Sequence, residues 1–325
     1  MCGRFCCSLC PSDLKNKLTN NGLDVNHDEW VDQDKYRPRY NVAPRTFVPV
    51  VRQNDDKNQL VLQTMKWGLI PFFSKTMPDM QPINARDDSL LEGSPMYNKA
   101  KNDKRCIVVA DGFYEWKKLG NGKKAPYYTK RKDGQLMLFA GLYDISHPQD
   151  WDQDILYSTT IVTTGPSSFF SFLHDRMPVI LEQDEARQWL DPTLPWSPSL
   201  AKLMKPYQGE LDCYQVTDKV GPVSNESSDF IIPVDSLKGS ISSFFGKPSS
   251  SPVSSSTKSS PDQSAKLSSQ QPQNQQQQKT TIQTNKRKAQ DENMEKDINK
   301  KIKSTSTQHK KQDKKKHITN FFNKK

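Results

Sequence analysis

Apolar positions in the first 235 residues gather into short runs rather than long helical stripes. The runs TFVPVVR, QLVLQTMKWGLI, RCIVVADGFYEW, YYTKRKDG, LMLFAGLYDI and LYSTTIVTT are rich in β-branched and aromatic residues. Gly, Pro, Asp and Asn punctuate them, and KDGQ and LGNGKKAP read as hairpin turns. Helical spacing is weaker and confined to PSDLKNKLTNNG, SLLEGSPMYNKA and DEARQWLDP. Strands outnumber helices, with no βαβ alternation and no internal repeat. The pattern predicts an α+β domain over residues 2–235, built on a curled, largely antiparallel β-sheet. The apolar DFIIPVD closes it near Val234.

Hydrophobic content is 33 %, low for a globular chain, and the deficit is local. From about Gly239 the sequence turns to Ser, Gln, Pro and Lys, too apolar-poor to offset the entropy of ordering. Residues 236–325 are therefore expected to be a disordered tail. Charge divides at the same place. Residues 1–238 carry 29 Lys and Arg against 31 Asp and Glu, a net of −2, whereas residues 239–325 carry 18 against 6, a net of +12. Any nucleic-acid contact in the folded part must then be local. No apolar run approaches the ~20 residues of a membrane span, and the N-terminus lacks the continuous apolar segment of a secretory signal. The six cysteines are expected to be reduced thiols, with no membrane partner.

Four polar clusters interrupt the apolar pattern. They are the start MCGRFCCSLC, PINARDD with Asn84 and Arg86, ADGFYEW with Glu115, and FLHDRMPVIL with His174 and Arg176. Glu115, between Tyr114 and Trp116, is either a solvent-facing strand residue or a carboxyl that burial moves towards general acid–base work. His174 reads equally well as a structural histidine.

The start is more constrained. Removal of Met1 would leave Cys2 with a free α-amine of pKa near ~8 beside a thiol near ~8.5. A 1,2-aminothiol reacts characteristically with an aldehyde: amine and thiolate add to one carbon and close a five-membered thiazolidine. The open-chain sugar of an abasic site in DNA offers such an aldehyde. Zinc would need a second ligand pair beyond Cys7 and Cys10 at finger spacing, and none exists, so no metal or cofactor is expected. The second residue is not the glycine of a myristoylation signal. A cysteine packed as a small hydrophobe is the remaining alternative.

MCGRF, YNVAP, WGLIP, INAR, DGFYEW and HDRMP occur in an order that resembles the SOS-response-associated peptidase (SRAP) family, eukaryotic members above all, from residue 2 to about 235. The resemblance implies that Cys2, freed of Met1, crosslinks to abasic sites in single-stranded DNA. It implies that Asn84 holds the N-terminal amine, that Glu115 shuttles protons, and that His174 assists at the sugar oxygen. Arg4 and Arg86 would contact phosphates, Pro44 would wedge against the lesion, and Phe72 and Phe73 would stack on bases where bacterial relatives carry tryptophans. Asn41, Thr163 and Arg176 are counted in the same DNA interface. LEGSPMYNKA lacks the basic residue that many relatives carry just after the NAR helix, so one phosphate contact is not expected there. Tyr214-Gln215-Val216 departs from their His-Pro-Val, so nothing is carried over to that segment.

Two other function classes compete: a cysteine peptidase using Cys2, Glu115 and His174, of which removal of its own Met1 or a short leader is the narrowest form, and a reader of modified cytosine in duplex DNA. The near-neutral domain and the lack of a groove-reading helix motif weigh against the reader. In the tail, Lys286, Arg287 and Lys288, then Lys300, Lys301 and Lys303, read as a bipartite nuclear import signal. Ile241, Phe244 and Phe245, and again Ile318, Phe321 and Phe322, place three apolar side chains at i, i+3 and i+4. Both resemble the motif that plugs the pocket of the replication sliding clamp, which makes the clamp an expected partner of a nuclear, monomeric protein.

Overall fold

The computed structural model describes residues 2–54, 59–120 and 122–237. The import signal and both clamp-type motifs lie outside the described residues. The chain begins with β1 (Phe5–Cys7), α1 (Pro11–Asn20), β2 (Val25–Val31), β3 (Arg39–Val42), β4 (Phe47–Asn54) and β5 (Gln59–Trp67). There follow β6 (Asn84–Arg86), α2 (Asp87–Leu91), α3 (Pro95–Asp103), β7 (Arg105–Ala110), β8 (Gly112–Lys118) and β9 (Lys124–Arg131). The last elements are β10 (Met137–Ser146), β11 (Leu156–Thr164), β12 (Met177–Pro178), α4 (Gln183–Leu190), α5 (Pro198–Ala201) and β13 (Leu211–Gln215). Among the described residues no helix is long and apolar enough to cross a membrane.

The predicted α+β class holds, with strands dominating. The sheet is in fact two. One runs β12-β11-β10-β7-β4-β5-β2, and β11 also pairs in parallel with β5 and β6. The β11–β5 pairing joins the two ends of β11-β10-β7-β4-β5, so those five strands curl into a closed barrel. The other sheet runs β13-β9-β8-β1-β3 and is wholly antiparallel.

The two sheets share one covalent run. RCIVVADGFYEW reads as one strand, but it changes sheet at Asp111. There the Asp111 amide donates to Cys6 O at 2.8 Å, and Asp111 Oδ2 accepts from Ser8 N and Ser8 Oγ at 2.7 and 2.9 Å. Gly112 is required by close approach, since a Cβ there would lie 2.5 Å from Thr129 O and from the Tyr128 hydroxyl. The helical stretch SLLEGSPMYNKA likewise divides into α2 and α3 at Gly93, whose φ of 79° a side chain would resist.

Aromatic packing ties the second sheet to the barrel. Phe5 meets Trp67 at 4.9 Å between ring centroids, and Phe113 meets Phe139 at 6.0 Å and Phe170 at 5.4 Å. All five rings are fully buried. Each phenylalanine contributes roughly 1.5–3 kcal/mol from apolar burial. These anchors sit three residues after Cys2 and two before Glu115, so the ends of both strands are rigidly placed. The opposite face of the second sheet carries a separate core of Cys6, Tyr114, Tyr128, Val216, Val220 and Phe230. Phe230 belongs to the DFIIPVD segment expected to close the domain.

Candidate functional site

Strand pairing carries three of the four polar clusters to one place. β1 lies against β8, with Phe5 opposite Phe113 and Tyr114 N donating to Arg4 O at 2.9 Å. Side chains alternate along a strand, so Glu115 shares the barrel-facing side of β8 with Phe113. β6 lies parallel to β11, with Asn84 opposite Ile161 and Arg86 opposite Thr163.

Cys2 is 1 % exposed and Glu115 6 %. Burial pushes the Cys2 thiol up from its ordinary value, and the neighbouring Glu115 carboxylate pushes it further. The two effects differ in cause: burial strips the thiolate of solvation, and the carboxylate repels a second negative charge. Asn84 Nδ2 donates to the Cys2 carbonyl at 3.0 Å, while its buried Oδ1 has no hydrogen-bond partner among the described residues. The Asn84 contact therefore falls on the carbonyl of residue 2, and its vacant acceptor is the atom that could receive an amine. Glu115 Oε2 accepts from Trp116 N at 3.3 Å.

The fourth cluster joins through Arg176. Its Nη2 donates to Asp87 Oδ1 at 2.8 Å, Thr163 O at 2.6 Å and Thr163 Oγ1 at 3.4 Å. Arg176 and Thr163 thus form one unit that locks the start of α2 onto β11. His174 Nδ1 lies 3.0 Å from Arg176 N and 2.7 Å from Asp175 Oδ1. It can accept from the amide or donate to the carboxylate, according to where its proton sits. A groove of about 650 Å³ is lined by Arg86, Trp116, Lys117, Phe172, His174 and Arg176, among others. A larger one of about 950 Å³, lined by Asp24, Gln53, Arg187 and Asp191, contains none of the candidate residues.

The remaining sequence candidates are placed differently. Arg86 is exposed and held by Asp88, its Nε and Nη2 donating to the carboxylate at 2.5–3.1 Å. Those hydrogen bonds bring the Asp88 carboxyl down to about 2, so the pair survives acidification until well below the ordinary carboxylate range. Phe72 and Phe73 are exposed, edge to face at 5.4 Å, with Lys99 Nζ 4.2 Å from the Phe72 ring centre. Pro44 is half-buried in the turn after β3, beside Arg45 at φ 68°. Neither Pro44 nor these phenylalanines line the 650 Å³ groove.

Arg4 and Asn41 are buried on the other face of the second sheet. Arg4 Nη1 donates to Asn41 Oδ1 at 2.7 Å and Val220 O at 3.1 Å, and Nη2 donates to Gly221 O at 3.2 Å. Asn41 Nδ2 is shared among Val220 O, Pro222 O and Asn225 O at 2.9–3.2 Å. Together they clamp the C-terminal segment to the strand behind Cys2. Asn41→Ala would leave the guanidinium and three carbonyls short of partners. It is expected to cost about 3 kcal/mol in urea unfolding, since a buried polar group left unpaired loses its solvation without recompense.

Cys7 Sγ contacts the Tyr36 hydroxyl at 3.3 Å and the exposed Cys10 Sγ contacts Ser12 Oγ at 3.1 Å, so the C-x-x-C pair shares no site. Among the described residues no group of three or more His, Cys, Asp and Glu is arranged to hold a metal. Sequence reasoning passed over Asp87 and Asp88 as site residues, although their place directly after Arg86 was visible in PINARDD.

A barrel flanked by an antiparallel sheet holds a buried cysteine at position 2 against a glutamate and an asparagine from separate strands. The chain belongs to the SOS response associated peptidase (SRAP) family, whose model matches residues 1–223. It is 35 % identical over 233 residues to the abasic site processing protein YoqW of Bacillus subtilis, covering 71 % of this chain and 99 % of that one. It is 36 % identical to the abasic site processing protein YMR114C of Saccharomyces cerevisiae, covering 72 % and 68 % of the two chains. Against the abasic site processing protein HMCES of Gallus gallus the identity is 32 %, covering 72 % and 78 %. Its fold is similar to the X-ray structure of a Bacteroides thetaiotaomicron protein, with a TM-score of 0.57, 28 % identity, and coverage of 67 % and 93 %.

Proposed function

We propose that this protein processes abasic sites in single-stranded DNA by crosslinking to them through Cys2. The observation that carries the reading is the convergence of the Cys2 carbonyl, the vacant Asn84 Oδ1 and the buried Glu115 on one spot. The names of the relatives support the same substrate.

In this reading Met1 is removed first, and the freed α-amine of Cys2 donates to Asn84 Oδ1. The amine adds to the aldehyde carbon of the ring-opened sugar and water leaves, giving a Schiff base. Glu115 supplies and recovers the proton that this dehydration needs. The Cys2 sulfur then adds to the imine carbon, its proton passes to the nitrogen, and the thiazolidine closes. His174 assists at the sugar oxygen from the groove it shares with Arg86. A cysteine peptidase would act through the Cys2 thiol alone, whereas the crosslink starts from the amine and brings the sulfur in only at ring closure. A buried, raised thiol therefore suits the crosslink better. The proposal extends to the tail, whose two basic clusters and two Ile-x-x-Phe-Phe motifs support a nuclear protein that works at replicating DNA.

The deciding experiment is the intact mass of the protein after incubation with an abasic single-stranded oligonucleotide. The expected species is the chain without Met1 plus the oligonucleotide, less one water. Failure to form any adduct, or an adduct retaining Met1, would overturn the proposal. Arg86→Ala is expected to weaken DNA binding and to lower the salt slope by about 0.7, one phosphate contact on a single strand, in anisotropy titrations at several salt concentrations.

A further inference from the structure

We propose that the turn between β11 and β12, with the β8–β9 hairpin beside it, forms a stacking station for an unpaired base of single-stranded DNA. The inference rests on the site being a DNA site, but not on the crosslinking chemistry.

The turn is built to hold aromatic rings out in solvent. Phe170 is fully buried against Phe113, and Leu173 is buried beside it. Phe169 and Phe172, between and before these anchors, are 48 % and 45 % exposed. The Phe172 ring stands edge-on to Tyr127 at 5.9 Å and to Phe169 at 6.4 Å, so its orientation is fixed by neighbours. A rigid exposed ring offers a π-face that any base can cover.

The charge around it selects the occupant. Lys117 Nζ lies 5.1 Å from the Phe172 ring centre. Across the hairpin Lys118 stands directly opposite Lys124, a like-charge pairing that is unfavourable unless an anion bridges it. Lys117, Lys118 and Lys124 have no carboxylate partner among the described residues. Phe172, Lys117 and Lys118 line the same groove as Arg86, His174 and Arg176, in which Asp175 is the one carboxylate. In a domain of net −2 this concentration is local, and it matches a phosphate backbone with a base turned onto the ring.

The test uses the full chain and a lesion-free oligothymidylate, so that no covalent step is involved. Phe172→Leu keeps apolar bulk but removes the π-face, and is expected to lower affinity about five-fold or more, the lower end of one base–aromatic stack. Phe172→Trp should retain wild-type affinity or exceed it. Lys117→Gln with Lys118→Gln should lower the salt slope by about 1.4. Irradiation with 5-iodouracil in the oligonucleotide should attach it to the peptide containing Phe169 and Phe172. Wild-type affinity in Phe172→Leu, an equal loss on blunt duplex, or attachment confined to other peptides would overturn the station, as would a surface serving another protein, which leaves oligonucleotide affinity unchanged. A protein that shows these losses yet forms no adduct with abasic DNA would sink the proposed function and leave the station standing.

Discussion

Cys2→Ser is expected to abolish the heat-stable adduct with abasic DNA while leaving an adduct that borohydride can trap. Serine retains the α-amine once Met1 is gone, so the Schiff base still forms and can be reduced to a stable secondary amine. Ring closure requires a nucleophile strong enough to add to the imine carbon, which sulfur is and a serine hydroxyl, far weaker, is not. The fold should survive, because β1 is held by Phe5 against Trp67 rather than by the Cys2 sulfur. The two yields are read on denaturing gels, with and without heating and with and without borohydride. Equal heat-stable yields for wild type and Cys2→Ser would reject the thiazolidine. A form in which Met1 is retained should lose both adducts, since its Cys2 nitrogen is an amide.

Glu115→Gln is expected to slow adduct formation by roughly 10²–10⁴-fold, the usual worth of a positioned acid–base group. DNA affinity should remain near wild type, because the side chain is buried rather than presented to the backbone. A second effect has the opposite sign. Burial is the main reason the Cys2 thiol is raised, and the Glu115 carboxylate adds to it. Removing the carboxylate relieves part of the rise and increases the thiolate fraction at any pH below it. Alkylation of Cys2, followed by peptide mapping, should therefore become faster in the variant that crosslinks more slowly. Equal losses of affinity and rate would make Glu115 structural.

Much of the fold was legible because its strands are apolar and its turns conventional. LYSTTIVTT coincides with β11, and the helical stretch DEARQWLDP contains most of α4. The strand β2, VNHDEWV, was passed over because it is mostly polar, and its pairing with β5 is parallel and irregular. The change of sheet at Asp111 was hidden within a continuous apolar run, since only the far strands decide where a run must part. The site divides in the same way. Cys2, Asn84 and Glu115 could be named from their chemistry and motifs, and strand pairing brings them together. Arg4 and Asn41 lie in motifs as recognisable as those, yet their partners are Val220, Gly221 and Asn225, about 180 residues or more away from either. No local pattern reveals such partners. What the sequence did hold is the alternation along β1, which puts Arg4 on the opposite side from Phe5.

The strand behind Cys2 lies inside its sheet, with β8 on one side and β3 on the other. Protein synthesis delivers the N-terminal end first, so β1 leaves the ribosome long before β8 exists to receive it. Throughout that interval the beginning of the chain is open to the enzymes that trim new polypeptides, and the thiol is as available as in a peptide. When β8 emerges and pairs, the same residues are withdrawn from solvent. Under the proposed function, trimming of Met1 by such enzymes would have to fall in the window between synthesis of β1 and synthesis of β8, and a slower β8 would lengthen that window.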